Sequence, residues 1–238
     1  CGKPVVVNFL GADAADIARD RVFPATTLAE AADKAVALLD GRPSVTAFGE
    51  IIRPEQCHAL PATRTDIRGV FAGGTFCYES QLICQQQGFH AASNTPVTGN
   101  KKPDDVWRSR GHTLIDMGDD DYTRGKPHPM IDPTLRNQRI AAELSDPQTA
   151  VLLFDLVLGY GAAAEPAAEL LEILAQHPRD QRPLLVAHVC GTEADPQQRS
   201  RQITALRQAG VVIAECNAQA ALWASQIARI QAEKKGEK

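Results

Sequence analysis

The segment Gly111–Arg139 concentrates side chains that could bind or transfer charge. Between an apolar stretch and a helix that begins near Pro133, it holds four acids, one histidine, two basic residues and three prolines. A connection between a strand and a helix is usually about 2–6 residues long, and this one is longer. Loops of this kind on a rigid scaffold often carry function. We therefore predict a functional loop here; a surface loop restrained by its prolines is the alternative.

Four apolar runs end in loops where glycine stands beside a polar or aromatic residue. These loops are Gly73-Gly74-Thr75, Gly118-Asp119-Asp120, Gly159-Tyr160-Gly161 and Gly191-Thr192-Glu193. In open sheets of parallel strands, ligands bind beyond the carboxyl ends of the strands. If the four runs are parallel strands of one sheet, their loops converge on one edge and can form a single site.

The first of these loops, Gly73-Gly74-Thr75, has the composition of an anion site. Two glycines at a junction between a strand and a helix let a ligand approach free backbone N–H groups, and the helix dipole favours negative charge there. The sequence matches neither G-x-x-x-x-G-K-[ST] nor G-x-G-x-x-G. Close packing of the strand against the helix is the alternative explanation.

The elements that must position these loops alternate between strands and helices, which is typical of an α/β fold with a parallel sheet covered on both faces. Five strands suit a flavodoxin-like doubly wound unit. Asp132 is expected to cap the helix that follows the acidic loop, with Pro133 as its first residue. The predicted strands are 69–75 (running into a glycine turn), 113–117, 151–158, 184–189 and 211–214, and the predicted helices are 76–87, 135–144, 166–176, 197–208 and 218–231.

An internal repeat organises the rest of the chain. Residues 3–13 resemble residues 182–192, and in both places a short strand signal and an alanine-rich helix follow. We therefore interpret residues 1–42 as the closing half of a first flavodoxin-like unit, 43–65 as a linker, 66–232 as a second unit and 233–238 as a frayed, charged tail. The abrupt start on a strand suggests a fragment of a longer protein.

Composition narrows the classes of partner. The 238 residues are 44% hydrophobic and 23% charged, as in an ordinary globular protein, and the net charge of −4 favours neither nucleic acid nor an anionic membrane. No apolar run approaches the ~20 residues of a membrane helix, and from the residues given we expect no signal peptide. The six cysteines lack metal-ligand spacing, so we expect no metal and predict free thiols in a reducing cytoplasm.

Four segments together point to a family: Gly-Gly-Thr-Phe-Cys-Tyr-Glu (73–79), Ile-Asp-Met-Gly-Asp-Asp-Asp-Tyr-Thr (115–123), Gly-Lys-Pro-His-Pro-Met-Ile-Asp-Pro-Thr-Leu-Arg-Asn (125–137) and Leu-Gly-Tyr-Gly-Ala (158–162). With them the chain resembles the C-terminal part of FdrA proteins, which are acyl-CoA synthetase-like members of the succinyl-CoA synthetase superfamily. The resemblance implies a missing upstream Rossmann-type domain that binds CoA, followed by two flavodoxin-like ligase units. Its partners would be that N-terminal part and other subunits or a second copy.

The same resemblance implies that the helices after 73–75 and 159–161 hold phosphate or carboxylate at their N-termini. The sequence departs from the superfamily at the phosphohistidine loop, because Gly-His-Ala-Gly follows neither predicted strand of the repeat. No ATP-grasp segment is visible, so we do not expect this chain to bind a nucleotide. A complete nucleotide-dependent CoA ligase is therefore not expected, and a non-catalytic assembly or regulatory subunit is an alternative.

FdrA proteins are also linked to carbamoyl transfer in allantoin breakdown, in which oxalurate and phosphate give oxamate and carbamoyl phosphate. This resemblance implies acyl or carbamoyl phosphate chemistry with a small substrate and phosphate. His128 would act as general acid or base or handle phosphate, unless its flanking prolines only shape the loop. Arg124, Lys126 or Arg136 would stabilise negative charge, and Asp119 and Asp120 would position a cation or merely cap the loop. Asp132 and Asn137 complete the candidate binding residues.

Overall fold

The computed structural model describes residues 2–44, 48, 57 and 59–236. The chain divides into two compact units between residues 50 and 51. Much of the predicted linker 43–65 lies outside the described residues. No helix in the described ranges is long and apolar enough to cross a membrane. The five described cysteines are free thiols, and three of them are buried.

The first unit contains a pair of parallel strands and one long helix. Its elements are β1 (Val5–Val7), α1 (Ala14–Ile17), β2 (Val22–Pro24) and α2 (Leu28–Asp40). Helix α2 begins where the Thr27 hydroxyl accepts the Glu30 N–H group at 3.1 Å, and the Glu30 carboxylate accepts the Thr26 N–H group. It ends at Gly41, whose φ of 65° is a conformation that glycine adopts without strain.

The second unit is a five-stranded parallel sheet with the order β4-β3-β5-β6-β7. This order is that of a flavodoxin-like doubly wound fold, so the predicted fold class is confirmed. The elements are β3 (Asp66–Phe71), α3 (Gly74–Gln86), β4 (Thr113–Asp116), α4 (Asp120–Thr123), α5 (Thr134–Ser145), β5 (Thr149–Val157), α6 (Ala168–Ala175), β6 (Leu184–Cys190), α7 (Arg199–Gln208), β7 (Val212–Ala214) and α8 (Asn217–Gly236).

The core lies on both faces of this sheet. Leu152 and Phe154 of β5 belong to a buried cluster with Ile140 of α5, Leu170 of α6 and Leu206 of α7. Helices α3 and α8 pack against each other, and α8 also lies against β5 and β6. Full burial of a side chain such as Leu or Phe contributes about 1.5–3 kcal/mol, so the doubly covered β5 anchors the unit.

The outer edge of β4 is covered by the segment between α3 and β4. The Ala92 N–H group donates to the His112 carbonyl, and the Ala92 carbonyl accepts the Leu114 N–H group, both at 2.9 Å. The Asn94 side-chain amide then pairs with Asp116 as a peptide group would. It donates to the Asp116 carbonyl and accepts the Asp116 N–H group, each at 2.9 Å.

Several helix boundaries differ from the sequence prediction by a few residues, and two of the differences have a visible physical cause. Helix α5 begins one residue late, at Thr134, because Pro133 is its cap residue and Asp132 accepts the Thr134 N–H group at 3.0 Å from outside. Helix α8 continues to Gly236, into the segment expected to fray. The Lys234 ammonium donates to the carbonyl of Leu60, which ties the last turns of α8 to the preceding chain.

Candidate functional site

The loop after β3 is fixed by a carboxylate from the neighbouring strand. Asp155 of β5 is fully buried, and its two oxygens accept the N–H groups of Ala72 and Gly73, each at 2.7 Å. Burial raises the pKa of Asp155, and the two N–H groups and Arg136 act against that rise. Chain connections leave β3 and β5 toward opposite faces of the sheet, and ligands bind at this position in doubly wound folds.

Helix α3 begins close to a second carboxylate. A Cβ atom at Gly74 would stand 2.5 Å from Asp116 Oδ2, so glycine is required for this approach. Gly73 caps the helix without a side-chain hydrogen bond. Within the part of the chain that the structure describes, the N–H groups of Gly74 and Thr75 have no acceptor. They are therefore free to bind an anion at the N-terminus of a helix of 13 residues.

Asp116, Gly118 and His128 face a common point at the end of β4. The Asp116 Oδ1 atom accepts the Gly118 N–H group at 2.9 Å. A Cβ atom at Gly118 would lie 2.5 Å from His128 Nε2 and 3.2 Å from Asp116 Oδ1. Burial raises the pKa of Asp116; the nearby Asp119 and Asp155 charges add to the rise, and the Gly118 N–H group and His128 oppose it.

The ring of His128 is oriented by its own loop. Its Nδ1 atom accepts the Met130 N–H group at 3.3 Å, and its carbonyl accepts the N–H groups of Ile131 and Asp132. A neutral imidazole that accepts through Nδ1 carries its proton on Nε2. His128 therefore presents an N–H donor beside Gly118.

The loops after β4 and β5 are joined by hydrogen bonds. The Met130 carbonyl accepts the Ala163 N–H group at 2.8 Å. Gln197, which is only 2% exposed, accepts the Gly159 N–H group at 3.1 Å and donates to the carbonyls of Gly159 and Ala163. Gln197 thus sets the conformation of the 159–163 loop, and nothing in its sequence context indicates this role.

The polar groups of the fourth predicted loop, Gly191-Thr192-Glu193, form hydrogen bonds with residues close to them in the sequence. The Leu158 N–H group donates to the Cys190 carbonyl, which places this loop beside the end of β5. However, Asp195 accepts the Thr192 N–H group, and the Glu193 carboxylate accepts the N–H and hydroxyl groups of Ser200. The structure thus places the first two predicted loops beside Asp116 and links the third to the His128 loop through Met130 and Ala163, whereas Thr192 binds Asp195 and Glu193 binds Ser200 of α7.

Two predicted binding residues are buried beneath the site. Arg136 is 2% exposed, and its Nη1 atom donates to the Asp155 carbonyl at 3.1 Å. Its Nη2 atom donates to Asn137 Oδ1, and Asn137 donates to Glu169. Burial lowers the pKa of Arg136. Arg136 and Asn137 lie on the buried face of α5, and from there the Arg136 guanidinium binds the backbone of Asp155.

The remaining predicted residues lie at the exposed rim. Arg124 is exposed, and the Lys126 ammonium lies 5.8 Å from the centre of the Trp107 ring. Tyr160, between Gly159 and Gly161, is 91% exposed. Asp119 caps α4 by accepting the Asp121 N–H group, while Asp120 is exposed.

Sequence reasoning missed Asp116 and Asp155, the two buried carboxylates of the site. Asp155 interrupts the otherwise apolar run 151–158, and that interruption is the signal that could have found it. His188 of β6 pairs with Asp155 across the sheet, and its ring meets Phe76 edge-on at 5.5 Å. Burial lowers the pKa of His188 to about 4, so its ring is neutral near pH 7. Among the described residues, no group of three or more His, Cys, Asp or Glu could hold a metal ion.

Comparison with known proteins gives three findings. Residues 70–227 match the family model described as CoA-ligase. The chain is 33% identical over 242 residues to "Uncharacterized protein YahF" of Escherichia coli (strain K12), covering 95% of this chain and 45% of that protein. The chain thus spans about half the length of this curated relative. A structure titled "Crystal structure of PH0766 from Pyrococcus horikoshii OT3" aligns with a TM-score of 0.46 and 14% identity, over 98% of this chain and 47% of that one.

Proposed function

Because this chain belongs to the CoA-ligase family of the succinyl-CoA synthetase-like superfamily, we propose that it forms part of an acyl-CoA synthetase-like enzyme. Within that family, its motifs favour the FdrA proteins. The proposed reaction site lies around Gly118, where the Asp116 carboxylate and His128 Nε2 face the same point. This arrangement is the observation that carries the proposal.

The anionic part of the substrate would bind at the start of α3. The free N–H groups of Gly74 and Thr75 supply two donors, and the helix dipole favours a phosphate or carboxylate there. Asp155 already occupies the N–H groups of Ala72 and Gly73. Additional positive charge would come from Arg124 and Lys126 at the rim.

His128 is proposed as a hydrogen-bond donor to the reacting group. Its Nε2–H group could bind a carbonyl or phosphoryl oxygen as negative charge develops. Acting as a phosphate carrier would require a lone pair on Nε2 and a proton on Nδ1, which accepts the Met130 N–H group. That bond therefore disfavours a phosphohistidine at this position.

Carbamoyl transfer is the second candidate, and Asp116 favours it. A carboxylate accepts hydrogen bonds, and a carbamoyl group offers N–H donors that a simple acyl group lacks. In phosphorolysis of oxalurate, a phosphate oxygen bonds to the carbamoyl carbon while the bond from that carbon to the oxamate nitrogen breaks. The proton lost by phosphate is gained by that nitrogen, and Asp116 is the proposed carrier.

CoA, where the reaction uses it, would bind to another part of the full-length protein, with which this chain would act. The phosphohistidine motif is not at its expected positions in the chain, which supports carbamoyl transfer over a complete ligase cycle. A non-catalytic assembly role would follow if neither reaction is found.

The decisive experiment measures two reactions of the full-length protein: phosphate-dependent cleavage of oxalurate, and CoA- and nucleotide-dependent thioester formation. We expect His128→Ala to slow the reaction that is present by about 10²–10³-fold, as loss of one preorganised donor does. His177→Ala is the matched control, since His177 lies beyond α6 and bonds to Ser145 and Ile173. Activity that survives His128→Ala unchanged would remove His128 from the mechanism, and absence of both reactions would refute the enzymatic proposal.

A further inference from the structure

A cavity lies beside the start of β4, away from the loops described above. Its volume is about 570 Å³, within the range of sites for small molecules. Its titratable side chains are His90, Lys101, Arg110 and His112, and alanine and glycine residues form much of the remaining wall. None of the residues that line it is an acid. The lining residues therefore carry positive charge and no carboxylate of their own, while the Asp66 carboxylate acts on His112 from outside the lining.

The long segment 88–112, which supplies the residues lining this cavity, is ordered by specific bonds. Gln81 of α3 donates to the Thr95 carbonyl at 3.0 Å and accepts from the Val97 N–H group and the Asn100 amide at 3.2 Å each. Loops longer than about 12–15 residues are uncommon unless they are functional or disordered, and this one is held in place. Its fixed backbone gives the cavity a defined shape.

His112 supplies a fixed hydrogen-bond donor to the wall. Its Nδ1 atom accepts the Ile67 N–H group at 3.1 Å, and Phe89 packs edge-on against its ring. Burial lowers the pKa of His112. The neutral ring that results near pH 7 carries its proton on Nε2, because Nδ1 is already an acceptor.

The two cations of the wall have no acidic partner in the described ranges. The neighbouring Lys102 is different, because it forms an ion pair of 2.9 Å with Asp121. Lys101 and Arg110 form no salt bridge with a described carboxylate. Both side chains are exposed, so a ligand can bind them without breaking an existing ion pair.

We propose that this cavity binds a small organic anion, with its phosphate or carboxylate group held by Lys101, Arg110 and the Nε2–H group of His112. Arg and Lys form charge-assisted hydrogen bonds with both kinds of group. The volume leaves room for an organic body beyond the charged group. The proposal concerns a different part of the sheet from the Gly118 site and does not depend on the reaction proposed there.

The test titrates the chain with pyrophosphate and with citrate, following heat release and the NMR signals of the His112 ring. We expect saturable binding of at least one of them below about 10 mM, with a shift of the His112 signals. Arg110→Gln and Lys101→Gln should each weaken binding by about 10-fold, the effect of losing one charge-assisted hydrogen bond. The preference between the two probes identifies the phosphate or the carboxylate class.

Two further variants make the outcome decisive. Arg207→Gln removes an exposed positive charge of α7 and should leave the affinity unchanged. His128→Ala should also leave it unchanged, because His128 belongs to the other site. The proposal fails if neither probe saturates, if Arg207→Gln weakens binding as much as Arg110→Gln does, or if His128→Ala rather than Arg110→Gln abolishes it.

Discussion

The carboxylate of Asp155 accepts the N–H group of Gly73 at 2.7 Å, so the central strand β5 holds the first residues of helix α3 in place. The same carboxylate binds the N–H group of Ala72. A buried side chain thus fixes the backbone from which the free donors of Gly74 and Thr75 extend.

Asp155→Asn should destabilise the fold. An asparagine offers only one acceptor oxygen, so one of the two N–H groups at Ala72 and Gly73 would lose its partner. Leaving such a group unsatisfied costs about 1–3 kcal/mol. Urea unfolding measures the loss, and Asp180→Asn in an exposed turn is the control. Equal stability of the two variants would contradict the assigned role.

Gly118→Ala should displace His128. The new Cβ atom would lie 2.5 Å from His128 Nε2 and 3.0 Å from the Ala72 carbonyl, so one of them must move. Overpacking of this kind typically costs about 1–3 kcal/mol. The NMR signals of the His128 ring should shift, and unfolding should occur at lower urea concentration. Gly236→Ala, where a Cβ atom meets nothing within 4 Å, is the control, and an unmoved ring in Gly118→Ala would refute the crowding.

Asp116→Asn should change how stability depends on pH. The raised pKa of Asp116 means that its contribution is fully present below the ordinary aspartate value of about 3.9 and is lost as pH rises through the raised value. Asparagine does not titrate, so the variant should gain stability relative to the wild type as pH rises from 3 to about 7.

Asp132→Asn provides the opposite case. Hydrogen bonding with Thr134 lowers the pKa of Asp132, so its contribution is present above the ordinary value and is lost as pH falls. Relative to the wild type, Asp116→Asn should therefore gain stability and Asp132→Asn should lose stability as pH rises across this range. If urea unfolding gave the same pH dependence of stability for Asp116→Asn and the wild type, Asp116 would not titrate as inferred.

Gln197→Ala should loosen the 159–163 loop. Its amide contributes one accepted and two donated bonds to this loop, and alanine would remove all three. The Gly159 amide should then exchange its hydrogen faster in deuterium exchange measurements, since exchange follows local opening. Gln176→Ala, an exposed position, should leave exchange at Gly159 as it was. No acceleration in Gln197→Ala would mean that another contact orders the loop.

The alternation of strands and helices was sufficient to predict the doubly wound sheet, because the covered strands are apolar. The start of β3 was not predicted, since Asp66 and Arg68 are charged. Arg68 is buried by ion pairs with Glu143 at 3.1 Å and Asp146 at 2.9 Å, partners more than 70 residues away in the sequence. Hydropathy along one strand contains no information about such partners.

The candidate site shows the same limit. The glycines at 73, 74 and 118 were identified from their positions at strand ends. The structure shows that a Cβ atom at each would collide with a carboxylate or a ring. Arg136 was expected to face a substrate, whereas it donates to the Asp155 carbonyl beneath the site. A charged residue on the inward face of a helix looks the same in the sequence as one that reaches solvent.

The pairing of the Asn94 amide with both backbone groups of Asp116 has a consequence for assembly. An uncovered edge strand is a template on which a strand of another molecule can add. Here the segment around Ala92 and Asn94 already occupies the outer side of β4. This edge is therefore protected against intermolecular strand addition and the aggregation that it can begin.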